Sequence, residues 1–97
     1  MLYIGVDLGT SAVKLLLMDG SGRIHKVVSR EYPLYFPHPA WSEQNPEDWF
    51  TASMDGMKEL TSECDKSQVA GISFGGQMHG LVTLDQADEV IRPAILW

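Results

Sequence analysis

Three short apolar runs open the chain, separated by two turns tight enough that only neighbouring strands can use them. Leu2-Tyr3-Ile4-Gly5-Val6-Asp7 is rich in apolar and β-branched residues and reads as a buried strand. Leu8-Gly9-Thr10 follows as a tight turn, with Gly9 free to take a positive φ. Ser11 to Met18 resumes the apolar run, broken only by Lys14. Asp19-Gly20-Ser21-Gly22 is a strong hairpin turn, and Arg23 to Val28 alternates as a third strand. The opening of the chain therefore predicts a three-stranded antiparallel meander, and everything after it has to be built on that small sheet.

With 97 residues there is room for one small domain. Leu, Ile, Val and Phe make up about a quarter of the chain, above the ~20% below which disorder is the default, so a packed core is predicted. Lys and Arg number 7 against 13 for Asp and Glu, a net charge of −6. That balance lacks the basic footprint of a nucleic-acid binder and argues against an anionic membrane surface. No apolar run approaches the ~18 residues of a spanning helix, and no signal-peptide pattern opens the chain. Cys64 stands alone, which excludes an internal disulfide or a cysteine metal cage. A cytoplasmic, reducing location is the expectation.

Beyond the meander, Tyr32 to Ala40 carries three prolines and reads as an extended edge or an ordered loop. Asn45-Pro46-Glu47-Asp48 starts a helix: Asn as N-cap, Pro at the first helical position, acids in the first turn. Trp49, Ser53, Met57, Leu60 and Cys64 fall on one face of it, and the helix is predicted to end near Glu63. Val69 to Ser73 reads as a short buried strand and Phe74 to Gly80 as a loop with three glycines. Leu81 to Leu84 and Glu89 to Arg92 read as a second hairpin around Asp85 to Asp88. The fold class is α/β: meander, helix, strand, hairpin. This is how the ribonuclease H-like fold of actin-like ATPases and sugar kinases begins, one α/β option among several from the pattern alone. The apolar segment Pro93 to Trp97 stops without a polar tail, which suggests a longer polypeptide cut through a strand. Such an end, or another exposed edge, is expected to drive self-association into a homodimer.

Chemistry concentrates in two places. Asp7-Leu8-Gly9-Thr10-Ser11 puts a carboxylate at the end of a buried strand, followed by a Gly turn and two hydroxyls. Successive backbone N–H groups in such a turn form a concavity suited to phosphate oxygens, and Lys14 lies one turn of chain further on. Asp7 would repel phosphate directly, and its plausible task is to hold hydrated Mg²⁺. The second place is Gly75-Gly76-Gln77-Met78-His79-Gly80. Its glycines let backbone approach a ligand, and His79 can both donate and accept hydrogen bonds, as a polyol requires. A local role for His79, with Met78 filling a core gap, fits the residues equally well. His25 and His38 read as surface residues, Cys64 as a small core residue, and Trp41 and Trp49 as staples between loop and helix start.

These segments resemble the FGGY carbohydrate kinases in the family's own order along the whole chain. Tyr3 to Ser11 resembles the opening of the family. His38-Pro39-Ala40-Trp41-Ser42-Glu43-Gln44-Asn45-Pro46, Gly71-Ile72-Ser73 leading to Gly76-Gln77-Met78-His79-Gly80, and Arg92 to Trp97 look like the branch acting on D-xylulose. The glycerol-phosphorylating branch has an Arg-Glu pair where Met78-His79 stand. The resemblance implies transfer of the γ-phosphoryl of MgATP to a sugar hydroxyl. It implies that Asp7 lies near Mg²⁺ as a metal-side catalytic residue, that Gly9, Thr10, Ser11 and Lys14 contact ATP phosphates, and that Met78 and His79 bind the sugar. It also implies that residues 1–97 are the N-terminal part of a first lobe. The catalytic base and most of the adenosine pocket would lie beyond them, leaving half a cleft with no activity alone. A kinase for another pentulose or polyol, or a non-catalytic nucleotide-binding or interaction module, remain the alternatives.

Overall fold

The computed structural model describes residues 1–97. Its elements are β1 (Leu2–Leu8), β2 (Ala12–Asp19), β3 (Ile24–Glu31), β4 (Glu43–Gln44), α1 (Pro46–Leu60), a 3₁₀ turn at Lys66–Gln68, β5 (Val69–Gly76) and β6 (Ala94–Ile95). The meander forms as predicted, with β1 antiparallel to β2 and β2 antiparallel to β3. Asp19 closes the β2–β3 turn: its Oδ1 accepts from the Ser21 amide at 3.0 Å, the Ser21 hydroxyl at 2.6 Å and the Arg23 amide at 3.1 Å. The Ser21 hydroxyl, then His25 at 2.9 Å, hold the Asp19 carboxyl well below the usual carboxylate range. Gly22 supplies the positive φ that this turn requires.

Alternation along the strands divides the sheet into two faces. Ile4 and Val6 of β1, Val13, Leu15 and Leu17 of β2 and Val28 of β3 are buried on one face, together with Tyr32, Ala52 and Leu60. Helix α1 covers that face. Its N-cap is Asn45, whose side chain accepts from the Glu47 amide at 3.1 Å, with Pro46 at the first helical position. The line it buries is Ala52, Gly56 and Leu60, which shares Leu60 with the predicted Trp49–Cys64 stripe and is otherwise displaced from it. Gly56 explains the displacement. A Cβ there would sit 2.6 Å from Leu15 Cδ1, so the helix backbone itself comes down onto the sheet and larger residues flank the contact. Trp49, Met57 and Cys64 accordingly pack only part-buried at its margins. The helix stops at Leu60, short of Glu63, because hydroxyls take up its last carbonyls: Thr61 Oγ1 donates to Met57 at 2.9 Å and Ser62 Oγ to Glu59 at 2.8 Å.

After the helix the chain returns as β5, parallel to β1, which gives the sheet order β3-β2-β1-β5. A parallel neighbour needs a crossover, and α1 provides it. Two predictions are corrected here. The strand runs on through Phe74 to Gly76 instead of yielding to a loop, because Leu8 and Gly76 still pair across the ladder. It is also not buried. The helix sits over β2 and β3, leaving Ile72 50% and Phe74 75% exposed.

The predicted second hairpin is reduced to one bridge, Leu84 to Val90, around a turn capped by Asp85 Oδ1. The Asp85 amide donates to the Glu89 carbonyl at 2.9 Å and the Ile91 amide to that of Thr83 at 3.0 Å. Leu81 instead exchanges both of its backbone bonds with Ile95, at 2.8 and 3.2 Å, so only the base of the predicted hairpin is diverted. Pro93 to Trp97 folds back onto its own chain, where β6 pairs antiparallel with β4, an element the sequence pattern did not signal. Ala94 and Leu96 are buried while Ile95 and Trp97 are exposed. No helix is long and apolar enough to cross a membrane.

Tyr32 joins this core to the β1–β2 turn. Its ring is buried among the sheet residues and its hydroxyl donates to the Gly9 carbonyl. Burial, reinforced by the nearby Asp7 carboxylate, pushes the phenol up to about 12 from its usual 10.0. A raised acid pKa in the folded state gives stability that is complete below the unfolded pKa and is lost as pH climbs through the folded one. Chemical denaturation between pH 10 and 12 should therefore show a steeper fall in stability for the wild type than for Tyr32→Phe. Parallel pH profiles for the two would remove Tyr32 as an alkaline-sensitive clasp.

Candidate active site

Parallel pairing of β1 with β5 decides where the site lies. Asp7 stands opposite Gly75 and Leu8 opposite Gly76, and the Gln77 amide continues the ladder by donating to the Leu8 carbonyl at 2.9 Å. The Asp7–Ser11 turn and the Gln77–Gly80 loop therefore leave the sheet at the same end, the carboxyl ends of two adjacent parallel strands. In open α/β sheets that is where ligands bind.

The β1–β2 turn is fixed from beneath through its carbonyls. Tyr32 Oη donates to the Gly9 carbonyl, Gln44 Nε2 to that of Thr10, and the Tyr32 amide to that of Ser11 at 3.2 Å. In a planar trans peptide the C=O of one residue and the N–H of the next point opposite ways. Drawing the Gly9 and Thr10 carbonyls inward thus turns the Thr10 and Ser11 amides outward, and neither amide takes part in a hydrogen bond within the chain. Two free, adjacent N–H groups beside two hydroxyls make a small anion cradle. Gly9 serves this turn through close approach and not through a positive φ as predicted: its amide donates to the Ala12 carbonyl at 2.9 Å, and a Cβ would meet that same oxygen at 2.9 Å.

Asp7 and Lys14 face each other across the β1–β2 ladder, both exposed. They lie on the sheet face opposite α1, in a groove of about 380 Å³ shared with Gly5, Leu16, Ser73 and Gly75. A side chain at Gly75 would project into open space beside Asp7, so the glycine keeps that flank clear. No three His, Cys, Asp or Glu residues come together as a metal cage. One exposed carboxylate suits Mg²⁺, which keeps several waters and takes the rest of its shell from substrate phosphates.

Met78 and His79 are exposed at the head of the second loop, Met78 at 72%. His79 takes a left-handed backbone, φ 65, a conformation that non-glycine residues adopt at some cost. The loop is held at both ends, by Gln77 on Leu8 and by Leu81 on Ile95. The alternative in which Met78 fills a core gap does not match its exposure. Trp41 is also exposed, edge-on to His38 with ring centroids 4.8 Å apart, while Trp49 reaches Gln44. A smaller cavity of about 190 Å³ beside Trp41, Glu43 and Arg92 contains none of the predicted site residues.

Sequence reasoning passed over Tyr32 and Gln44. Gln44 is fully buried and makes three hydrogen bonds. It accepts from Trp49 Nε1 and from Gln77 Nε2, each at 3.0 Å, and donates to Thr10. The only available signal was a polar pair, Glu43-Gln44, just before an N-cap, and periodicity cannot say that both are buried.

Residues 2–97 match the N-terminal domain of the FGGY family of carbohydrate kinases. The chain is 48% identical over 96 residues to a xylulose kinase of Bacillus subtilis, covering 97% of this chain and 19% of that protein. It is 43% identical to a xylulose kinase of Escherichia coli, covering 99% of this chain and 20% of that one. A xylulose kinase structure from Rhodospirillum rubrum superimposes with a TM-score of 0.93 at 31% identity, over 99% of this chain and 20% of the other. The chain thus spans about a fifth of the length of the relatives it matches. A meander and crossover of the actin-like ATPase type, two loops meeting at one sheet end and a match along nearly the whole sequence have one reading: the chain belongs to the FGGY family of carbohydrate kinases.

Proposed function

We propose that this chain forms part of the phosphate and sugar sites of an ATP-dependent kinase that converts D-xylulose to D-xylulose 5-phosphate, as the N-terminal part of its first lobe. The observation that carries the reading is the convergence of the Asp7–Ser11 turn and the Gln77–Gly80 loop at one sheet end. Likeness to xylulose kinases across both segments supports the choice of sugar.

In this reading the Thr10 and Ser11 amides and hydroxyls, with Gly9 allowing the tight approach, grip phosphate oxygens of ATP, and Lys14 adds positive charge. Asp7 holds the hydrated Mg²⁺ that accompanies the nucleotide and neutralises charge on its phosphates. Met78 and His79 contact the sugar, His79 through hydrogen bonds to hydroxyls and Met78 through its apolar stem. The location is cytoplasmic. Phosphoryl transfer depends on positioning from several parts together, so these residues alone bind without turning over substrate.

The test separates the two loops in the full-length polypeptide. Asp7→Ala should lower kcat by about 100-fold or more with little loss of thermal stability. His79→Ala should raise the KM for D-xylulose about tenfold, the loss of one polar contact, and leave nucleotide affinity near wild type. Near-normal turnover of Asp7→Ala at saturating MgATP, or an unchanged sugar KM in folded His79→Ala, would contradict the assignments.

Assembly is the remaining part of the proposal. With Pro93 to Trp97 paired internally, the open edge of β5, carrying exposed Ile72 and Phe74, is the surface for a homodimer of the chain. Sedimentation at micromolar concentration should give a dimer that Ile72→Lys dissociates, and a monomer for both proteins would dismiss it.

A further inference from the structure

We infer that Gln44 is a positioning residue that sets the phosphate turn and the sugar loop against each other. The inference rests on the functional reading above for what the two loops bind. Its own ground is the geometry of one buried amide. The indole N–H of Trp49 is a donor only, so the end of the Gln44 amide that it reaches at 3.0 Å is the oxygen. The other end is then the NH₂ group, and it points at the Thr10 carbonyl. The same oxygen accepts from Gln77 Nε2 at 3.0 Å. One rigid planar group therefore joins the turn at Thr10, the first turn of α1 at Trp49 and the start of the 77–80 loop.

Several observations make this more than a buried side chain finding partners. The Thr10 carbonyl that Gln44 holds belongs to the same peptide unit as the Ser11 amide, so the hold on that carbonyl aims a donor of the cradle. On the other side, Gln77 immediately precedes Met78 and His79, and its side-chain oxygen is buried without a partner. Its side-chain anchorage runs through Gln44 alone. Gln44 is itself pinned in β4, whose pairing with β6 carries Ile95, and Ile95 bonds Leu81 at the far end of the same loop. Both ends of the sugar loop and the phosphate turn are thus referenced to one strand of two residues. A shift of β4 moves all of them together, and loss of the Gln44 amide lets them move apart.

The experiment uses the full-length polypeptide. Gln44→Met keeps a similar volume and removes all three bonds. Gln44→Glu, ionised, retains the two accepting bonds, loses the donation to Thr10 and sets a carboxylate oxygen against that carbonyl. Leu60→Ala, in the core away from both loops, controls for stability alone. Gln44→Met should lower kcat and raise the sugar KM so that kcat/KM falls about 10- to 100-fold, as misplacement of reacting groups does. Leu60→Ala with a comparable loss of Tm should keep the wild-type KM. Gln77→Met should reproduce the effect on the sugar KM, and adding it to Gln44→Met should change little further, because both remove the same bond. Gln44→Glu should raise the KM for ATP more than that for the sugar, and it carries the kinetic test if Gln44→Met does not fold. Wild-type KM values in folded Gln44 variants, with only Tm lowered, overturn the inference.

A readout without turnover separates this inference from the functional reading. In Gln44→Met the Gly9 and Gln77 amides, both hydrogen-bonded, should exchange with solvent about tenfold faster or more relative to amides of β2. If the wild type does not phosphorylate D-xylulose, the functional reading fails while this exchange measurement still decides on Gln44. Unchanged relative protection at both amides counts against it.

Discussion

Three consecutive carbonyls held from below fix the β1–β2 turn, on which the rest of the candidate site depends. The hydrogen bonds from Tyr32 and Gln44 to Gly9, Thr10 and Ser11 leave the Thr10 and Ser11 amides free to face outward. A tight turn between two strands would normally present a mixture of donors and acceptors. Here the acceptors are consumed inside the protein while the Thr10 and Ser11 donors remain, an arrangement of the kind that suits anions. The two side-chain bonds are part-buried, so breaking one leaves a carbonyl short of its partner at a cost of up to about 1–3 kcal/mol.

The core exists largely to keep that turn and its neighbour in register. Close approach of α1 at Gly56 packs the helix directly on Leu15 and so fixes the crossover that returns the chain as β5. Parallel alignment of β5 with β1 then brings Gly75 beside Asp7 and starts the Gln77–Gly80 loop where the Asp7–Ser11 turn starts. The exposed flank of β5 follows from the same arrangement, because a helix seated over β2 and β3 cannot also cover the far edge strand. Packing, topology and site placement are thus consequences of one contact line between α1 and the sheet.

Much of this was legible in the sequence where the signal is local. The Asp19–Gly22 turn, the Asn45-Pro46 helix start and the alternation in the first strands depend on near neighbours, and each formed where it was read. The resemblance to sugar kinases, carried by Tyr3–Ser11 and Gln77–Gly80, pointed to the family that the match over residues 2–97 establishes. What failed depended on distant chain. Burial of β5 was inferred from its apolar residues, whereas burial is set by where the helix lies. The 81–92 hairpin looked complete by itself, but it pairs only around Leu84 and Val90, because Leu81 at its base bonds Ile95 instead. Gln44 carried no periodic signal at all, since its importance comes from Thr10, Trp49 and Gln77, residues on three different elements. Gly9 was recognised as special, but for conformational freedom when its service is closeness to Ala12.

The central claim is that the outward-facing amides of the first turn and the head of the second loop form one composite site. A crystal structure of the full-length polypeptide with a non-hydrolysable MgATP analogue and D-xylulose tests it most directly. The account predicts phosphate oxygens at about 3 Å from the Thr10 and Ser11 amides, with a sugar hydroxyl at a similar distance from the His79 ring. Phosphates seated elsewhere, with those two amides facing only solvent while the sugar is bound, would contradict it.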